Sequence, residues 1–225
     1  MGEFWDERAR EDALYFVDDR MAYGAADQEA FWAGGAEAVD LILGELDVRL
    51  SGPETVVEIG CGVGRITRPL ATRADRVLAL DVSSRMLELA REHNPDLDNV
   101  TWLHGSGTDL SGVPDAVAGA CFSHVVFQHI PDPQITLGYV REMGRVLRPG
   151  GWSAFQVSNA PAVHTPRRTG LRARLGRGPQ GTDDPRWLGS AVDLDELEAA
   201  AGDGGLGVER VVRAGTQFCL VLLRR

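Results

Sequence analysis

The residues with the clearest chemical use form a glycine-rich turn in the first third of the chain. Residues 56–67 read VVEIGCGVGRIT, which is a short apolar strand, a turn and the start of a helix. Gly60, Gly62 and Gly64 let the backbone turn tightly and approach a bound molecule closely, because they carry no side chain. The helix that follows points its N-terminal N–H groups at the same molecule. The turn therefore predicts a ligand site, with the carboxyl group of Glu58 just before the first glycine.

The spacing of these glycines decides between classes of cofactor. A dinucleotide fingerprint has the form G-x-G-x-x-G, which would need a glycine where this chain has Arg65. A second apolar strand, residues 77–81, ends in Asp81 roughly 20 residues beyond the turn, where a doubly wound fold places a carboxylate that binds ribose hydroxyls. Ser83 and Ser84 then begin a helix. For the glycine turn alone an ordinary strand-to-helix connection is the alternative, and for Asp81 it is a helix-capping acid.

The rest of the chain must position these groups, and its pattern is one of alternating strands and helices. Strands are predicted at residues 55–59, 76–81, 100–103, 118–123 and 151–157. Helices are predicted near residues 65–72, 84–92 and 132–147, with a weak one near 113–117. The chain is predicted to end with a helix and two strands, at residues 193–201, 207–213 and 217–223. Such alternation predicts a parallel sheet with helices on both faces and a ligand at the carboxyl ends of its strands.

Two segments fall outside this alternation. Residues 4–50 contain most of the aromatic side chains and are predicted to be helical, with the helix ending at Gly52-Pro53. The segment after the fifth strand is rich in Pro, Gly and Arg and predicts a lid-like excursion over the edge of the sheet. We therefore expect a single domain over residues 1–225, with an N-terminal helical cap over residues 1–50 and a lid-like insertion over residues 159–190.

Five motifs, in the same order along the chain, resemble those of class I S-adenosylmethionine (SAM) methyltransferases, in the small-molecule branch of methyltransferase domains 11 and 25. The E-x-G-x-G-x-G turn and Asp81 are the first two. Residues 99–110 are similar to the third strand and its loop, residues 118–132 to the segment around the end of strand four, and residues 145–151 to the R-x-L-x-P-G-G turn into strand five. The resemblance covers residues 53–157 and the closing helix and hairpin. It implies an α/β Rossmann-like, doubly wound seven-stranded sheet, mostly parallel with a C-terminal antiparallel hairpin strand and helices on both faces.

The resemblance also implies SAM as the cofactor, with S-adenosylhomocysteine (SAH) as its product. Many relatives have an acid that bonds the adenine amino group where this chain has Ser106, and Thr108 or Asp109 could supply that contact instead. Tyr15 and Tyr23 are candidates for closing over the cofactor, with simple packing of a helix on the sheet as the alternative. The expected cofactor-binding residues are Glu58, Gly60, Cys61, Gly62, Gly64, Arg65, Asp81, Val82, Met86, Gly105, Ser106, Gly107, Ser123, Tyr15 and Tyr23.

Two histidines follow the fourth strand, where the resemblance places the transferred methyl group. Relatives often have a pair of histidines before the I-P-D sequence, and this chain has Gln128 and His129 there. We expect His129 to act as a base, because histidine titrates near neutrality; the alternative is that it braces the turn. His124 is expected to take part in catalysis or to line the acceptor pocket, and Gln128 to contact the acceptor. A basic run that includes Arg167 and Arg168 could hold an anionic acceptor, or it could be a solvated loop.

The implied reaction is an in-line displacement in which a methyl group moves from a sulfonium to an O or N atom of a small molecule. A SAM-binding protein without methyl transfer, acting as a sensor or partner subunit, is the alternative. An NAD-dependent oxidoreductase is a further one, which Arg65 disfavours. A nucleic-acid methyltransferase is disfavoured because the segment after strand four lacks a D/N-P-P-Y motif.

Composition restricts the partners. The chain has 225 residues and a formal net charge of −10, which argues against binding nucleic acid or an anionic membrane. No apolar run approaches the ~20 residues that span a bilayer, and the first residues lack a signal-peptide pattern, so we expect a cytoplasmic protein that is a monomer or a homodimer. The three cysteines, Cys61, Cys121 and Cys219, are expected to be buried and reduced. No group of Asp, Glu or His residues has the spacing of a metal site, so no metal is expected.

Overall fold

The computed structural model describes residues 1–50, 54–165 and 184–225. The described strands are β1 Thr55–Ile59, β2 Arg76–Asp81, β3 Val100–His104, β4 Ala118–Ser123, β5 Leu147–Val157, β6 Gly207–Val212 and β7 Cys219–Arg224. The described helices are α1 Gly2–Val17, α2 Gln28–Leu46, α3 Thr67–Ala71, α4 Ser84–His93, α5 Pro133–Val146, α6 Pro185–Leu188 and α7 Leu194–Asp203. Short 3-10 turns span Phe127–His129 and Pro161–His164. None of the described helices is both long enough and apolar enough to cross a membrane.

The strands form one seven-stranded sheet in the order β3-β2-β1-β4-β5-β7-β6. β1 to β5 pair in parallel, while β7 runs antiparallel between β5 and β6. The central strands are nearly continuous apolar runs because helices cover both of their faces. The strand order reverses between β1 and β4, so the loops that follow these two strands diverge and leave a crevice at their carboxyl ends. The expected doubly wound sheet with a C-terminal antiparallel hairpin is confirmed.

Two apolar layers hold the helices against the sheet. On one face, Met143 of α5 and Leu197 of α7 belong to the cluster of buried side chains that includes Val57 of β1. On the other face, Ile42 of α2 and Leu70 of α3 belong to a second cluster, formed with the opposite sides of the same strands. Removing these side chains from water drives the packing. The layers thereby fix the carboxyl ends of β1, β2 and β4, which carry the residues of the site.

The N-terminal segment, predicted to be helical, forms two helices, α1 and α2. α1 bends at Asp12, which has non-helical backbone angles, and residues 18–27 separate α1 from α2. α2 ends at Leu46 because Asp47 adopts the left-handed conformation, with φ of 53°, that terminates helices. The helix therefore ends before the predicted Gly52-Pro53, which lies outside the described residues.

The weak helix predicted at residues 113–117 is wrong, because this segment forms turns. Pro114 has no backbone N–H to donate, and Ala116 has a φ of 51°, outside the helical region. The side chain of Val113 is buried in the core instead. The other predicted strands and helices are confirmed to within a few residues at their ends. Residues 166–183, which include Arg167 and Arg168, lie outside the described part of the chain.

The cysteines fit their predicted role as core residues. All three are free thiols and are buried. Burial raises the pKa of the Cys61 and Cys121 thiols, which keeps them protonated at neutral pH. They therefore pack as small apolar side chains.

Candidate active site

A cavity opens at the carboxyl ends of the central strands, beside the point where the strand order reverses. Counted with the open space at its mouth, it has a volume of about 1010 Å³. Its walls come from the glycine turn, the end of β2, the loops after β3 and β4, and α1. The predicted site residues that line it are Gly60, Cys61, Gly62 and Arg65 from the turn, Asp81, Val82 and Met86 from the β2 end and α4, Gly105 and Gly107 after β3, and His124 after β4.

Backbone hydrogen bonds fix the glycine turn. The N–H groups of Gly60 and Cys61 both donate to the carbonyl oxygen of Leu80, at 2.8 and 2.9 Å, which ties the turn to β2. Gly60 has a φ of 75°, and a Cβ atom at this position would lie 2.3 Å from Cγ2 of Val126. Only glycine fits here, so the first glycine of the pattern is required by the packing of the loop after β4 as well as by a ligand.

Asp81 lies at the end of β2, next to this turn. Its Oδ2 accepts a hydrogen bond from the N–H of Gly62 and its Oδ1 accepts one from the N–H of Ser83, each at 2.8 Å. Each carboxylate oxygen can accept a second hydrogen bond. Burial raises the pKa of Asp81, and the backbone hydrogen bonds act in the opposite direction. The backbone therefore orients the carboxylate of Asp81, which can still accept hydrogen bonds from two hydroxyl groups.

His129 does not line the cavity, which is a correction to its expected role as a base. Its Nδ1 donates to the carbonyl oxygen of Trp187 at 2.6 Å. Its Nε2 lies 3.1 Å from Nε2 of Gln128, which donates to it. Burial lowers the pKa of the ring, so the neutral form is favoured. With both ring nitrogens bonded, His129 braces its turn against α6, which is the alternative that the sequence left open.

Gln128 belongs to the same network and is likewise outside the cavity wall. Its Oε1 accepts a hydrogen bond from Nε2 of Gln156 at 2.8 Å, and Oε1 of Gln156 accepts one from the N–H of Val125 at 2.9 Å. Val125 has a φ of 57°, an uncommon conformation for a β-branched residue. The expected contact of Gln128 with an acceptor is therefore replaced by a supporting role, in which the network holds the backbone next to His124.

His124 is the histidine that lines the cavity. Its Nδ1 is buried and has no hydrogen-bond partner among the described residues. Burial, followed by the charges of Arg65 and Arg20, lowers the pKa of the ring to about 4. The ring is therefore neutral at pH 7. A neutral imidazole that no described residue engages can accept a proton or a hydrogen bond from a ligand.

Arg65 follows the last glycine of the turn and lines the same cavity. It is only 3% exposed, and within the described residues its Nε and Nη1 have no hydrogen-bond partner. Oδ2 of Asp18 lies 3.5 Å from Nη1, but Asp18 directs both of its oxygens to Arg20, at 2.7 and 2.6 Å. The site thus contains a buried cation that its neighbouring carboxylate neutralises only in part.

Comparison with known proteins agrees with this geometry. A model of the methyltransferase domain family matches residues 57–155. The chain is 28% identical over 176 residues to a ubiquinone biosynthesis O-methyltransferase of Nitrosospira multiformis, covering 76% of this chain and 71% of that one. A SAM-dependent methyltransferase from Mesorhizobium loti shares the fold, with a TM-score of 0.63 and 24% sequence identity. The match covers 86% of this chain and 100% of that chain. The N-methyltransferase NodS from Bradyrhizobium japonicum, in complex with SAH, has a TM-score of 0.64 at 17% identity, over 100% and 97% of the two chains.

Residues 57–155 belong to the methyltransferase domain family. Of the two solved neighbours, one is named as SAM-dependent and the other holds SAH. The chain spans between 31% and 71% of the length of the first curated relatives that it matches. The match to the methyltransferase domain family lies in the central sheet and its loops, which hold the motifs.

Three of the residues expected to bind the cofactor lie around the turn of this methyltransferase without lining its cavity. Glu58 is buried, and its Oε2 accepts a hydrogen bond from Oγ1 of Thr67 at 2.6 Å. Burial raises the pKa of Glu58 to about 8. Ser123 donates to a backbone carbonyl of β1 at 2.9 Å, and a Cβ atom at Gly64 would lie 2.7 Å from Nδ2 of Asn94. These three residues shape the turn from behind.

The loop after β3 of the methyltransferase contributes its glycines to the cavity, while Ser106 is committed to the loop itself. Its Oγ donates to Oδ1 of Asp109 at 2.8 Å and accepts from the N–H of Thr108 at 3.1 Å. The expected contact of Ser106 with adenine is therefore disfavoured. Thr108 and Asp109, the alternatives, take part in the same network and do not line the cavity.

The N-terminal wall of the methyltransferase comes from Trp5, Phe16 and Val17, which corrects the expectation for Tyr15 and Tyr23. Tyr23 is 46% exposed, and the ring of Tyr15 packs edge-on against Phe16 and Tyr23. A shift of one residue turns a side chain by about 100° around a helix. Because α1 bends at Asp12, between Trp5 and Phe16, no regular helical spacing in the sequence could have identified this pair.

Sequence reasoning also missed Leu110, Ile130 and Tyr139, which line the cavity of the methyltransferase. Burial raises the pKa of Tyr139, so its hydroxyl stays protonated. Tyr139 comes from α5, Ile130 from the turn before it and Leu110 from the segment between β3 and β4, and they converge only in the folded chain. Their apolar character was visible in the sequence, but nothing local to them distinguishes a cavity wall from ordinary core.

Proposed function

We propose that this methyltransferase transfers the methyl group of SAM to an oxygen or nitrogen atom of a small molecule. The observation that carries the proposal is His124, which lines the cavity and whose buried Nδ1 has no partner among the described residues. An O–H or N–H nucleophile must lose a proton when it is methylated. A neutral imidazole in the wall of the cavity is suited to take that proton.

The residues of the cavity fit SAM. Asp81 has capacity for the two ribose hydroxyls, and the turn at Gly60 and Gly62 lets a ligand approach the backbone closely. Val82 and Met86 provide an apolar wall beside Asp81, as an adenine ring requires. When bound, SAM supplies an electrophilic methyl group on a sulfonium sulfur.

The protein contributes positioning and the exclusion of water. Trp5 and Phe16 line the cavity from α1 and bury apolar surface against a ligand. Holding a nucleophile in the reacting geometry can lower the barrier by about 7–11 kcal/mol. His124, with a pKa of about 4, is a weak base toward a free hydroxyl. However, the hydroxyl becomes strongly acidic as its oxygen bonds to the methyl group, so a weak base is sufficient at that stage.

Two further observations support a small acceptor. The cavity is set into the protein, between the sheet and α1, and the net charge of −10 opposes attraction of nucleic acid. One relative is named for O-methylation and one structural neighbour for N-methylation. The two nucleophiles therefore remain equal candidates for this chain.

The proposal can be tested with SAM labelled in its methyl group. The protein is incubated with a panel of phenols, enols, carboxylic acids and amines, and label in the acceptor is measured together with SAH formation. We expect transfer to at least one member, and we expect His124→Asn to transfer about 10²-fold more slowly while it still binds SAH. His93→Asn, a change on the outer part of α4, is the matched control.

The outcomes separate the alternatives. Binding of SAH without transfer to any acceptor would favour a SAM-binding protein that performs no methylation. Failure of the intact protein to bind SAM or SAH would contradict the proposed function itself.

A further inference from the structure

Arg65 is a buried cation with unused hydrogen-bonding capacity. Its side chain is 4% exposed, and in the described part of the chain Nε and Nη1 have no acceptor. A guanidinium carries five N–H donors, and leaving the donors of a buried charged group unpaired costs free energy. An anionic ligand in the adjoining cavity would remove that cost.

The neighbouring charges define what kind of anion fits. Asp18 accepts two short hydrogen bonds from the side chain of Arg20, and its Oδ2 lies 3.5 Å from Nη1 of Arg65. These three side chains carry one net positive charge, and His124 adds none because its pKa is about 4. A monoanion balances the group, whereas a phosphate dianion would leave a negative charge in a partly buried place.

We propose that Arg65 binds a carboxylate group inside the cavity. A planar guanidinium can hold the two oxygens of a carboxylate through parallel hydrogen bonds. The carboxylate has two possible sources, which are the amino-acid end of SAM and an acid group on the methyl acceptor. The second source rests on the proposed function. The aromatic side chains of Trp5 and Phe16 in the same cavity suit an acid with an apolar body.

The decisive variant is Arg65→Met, which removes the charge and keeps most of the volume. Asp18 retains Arg20 in this variant, so no carboxylate is left unpaired. If Arg65 serves a ligand, the thermal midpoint without ligand stays the same or rises, because an unsatisfied buried cation has been removed. Arg73→Met is the matched control, because Arg73 follows α3 on the surface and pairs with Asp40 at 2.9 Å.

Three probes separate the sources of the carboxylate in calorimetric titrations. SAH carries the amino-acid end, and 5′-methylthioadenosine has the same nucleoside and thioether without it. Benzoate, added to the free protein and to the SAH-bound protein, represents an aromatic acid. If the cofactor supplies the carboxylate, Arg65→Met lowers the affinity for SAH at least tenfold and leaves that for 5′-methylthioadenosine unchanged. If the acceptor supplies it, SAH affinity is kept and benzoate affinity falls at least tenfold.

The proposal is overturned if Arg65→Met binds all three probes as the intact protein does. It is also overturned if the variant loses several degrees of thermal midpoint without ligand and loses all probes in parallel, because Arg65 would then be a structural residue. Failure of the intact protein to bind either nucleoside would instead contradict the proposed function. In that case the benzoate titration of the free protein still tests Arg65.

Discussion

The two sides of the cavity differ in how their polar groups are satisfied. Around the glycine turn, the carboxylate of Asp81 and the side chains of Glu58 and Ser123 all have hydrogen-bond partners. On the side that faces the N-terminal segment, Nδ1 of His124 and two nitrogens of Arg65 have none among the described residues. Satisfied polar groups hold a fixed shape, whereas unsatisfied buried ones raise the free energy until a partner arrives. The comparison indicates a preformed cofactor side and a second side that a ligand completes.

The largest effect is expected when a residue on the cofactor side of the cavity, Asp81, is removed. Asp81→Ala removes two acceptors for ribose hydroxyls and also frees the N–H groups of Gly62 and Ser83. Hydrogen bonds to a charged group contribute about 1.5–3 kcal/mol each, so we expect SAH affinity to fall about 10³-fold. Calorimetric titration with SAH measures the change.

The control for this prediction is Asp96→Ala, which removes an exposed acid between α4 and β3. It should bind SAH as the intact protein does. An Asp81→Ala protein that is folded and binds SAH within threefold of the intact protein would show that the cofactor is held elsewhere.

The second prediction separates the two histidines. His124→Asn should lower kcat about 10²-fold, since general-base assistance contributes about 10²–10⁴-fold, while SAH affinity is kept. His129→Asn breaks the hydrogen bonds to Trp187 and Gln128. It should lower the free energy of unfolding by about 1–3 kcal/mol and change kcat much less.

Turnover of an accepted substrate and denaturant unfolding of both variants check this pair. The assignment would be reversed if His129→Asn lost turnover with normal stability while His124→Asn kept its turnover. A shared loss of stability in both variants would instead indicate that His124 also braces the loop after β4.

The cofactor side was largely predictable from the sequence because its signals are local. Gly60 and Asp81 act through backbone conformation and strand ends, and both properties follow from short stretches of sequence. His124 and His129 could not be ranked in this way. The partner of His129 is the carbonyl of Trp187, 58 residues further along the chain, and only the folded chain shows that this histidine is already engaged.

The side of the cavity that faces the N-terminal segment was predicted less well, because its contacts also join residues that are distant in the sequence. Tyr15 and Phe16 are neighbours in sequence, yet only Phe16 lines the cavity, because the packing of α1, which contacts α4, decides which of its faces points inward. Arg65 was expected to contact the cofactor. Its partial neutralisation depends on how Asp18 is divided between Arg65 and Arg20, which no spacing rule reveals.

The third prediction concerns Glu58, which lies behind the glycine turn. Its replacement should change the stability of the fold and leave cofactor binding unchanged. The pKa of Glu58 is raised by burial from 4.5 to about 8. Between these two values the folded protein holds a proton that the unfolded chain has released. The free energy of unfolding should therefore fall as pH rises through this window, by up to about 1.4 kcal/mol per pH unit from this residue. Glu58→Gln should remove that contribution.

Denaturant unfolding at pH values about 1 unit apart, between pH 5 and pH 8, measures how the free energy of unfolding changes with pH in Glu58→Gln and in the intact protein. Glu198→Gln, a change of an exposed acid on α7, serves as the reference. Parallel curves for Glu58→Gln and the intact protein would mean that Glu58 is ionised in the fold. A large loss of SAH affinity in Glu58→Gln would mean that Glu58 contacts the cofactor directly.

The smallest expected effect compares two helix caps, one beside the cavity and one remote from it. Ser83 accepts a hydrogen bond from the N–H of Met86 at the start of α4 and donates to Asp6 of α1 at 2.6 Å. Asp193 caps α7 by accepting from the N–H groups of Asp195 and Glu196. Loss of either cap, in Ser83→Ala or Asp193→Ala, should cost about 1 kcal/mol of stability.

Only Ser83→Ala should also weaken SAH binding, by about threefold, because the link from α1 to the residue that aims Asp81 is lost. Parallel calorimetric and unfolding measurements on the two variants distinguish a cap that serves the site from one that serves the fold. Equal SAH affinity in both would show that the backbone N–H of Ser83 alone is enough to orient Asp81. The cofactor side would then be preformed by its main chain, with no contribution from the N-terminal helix.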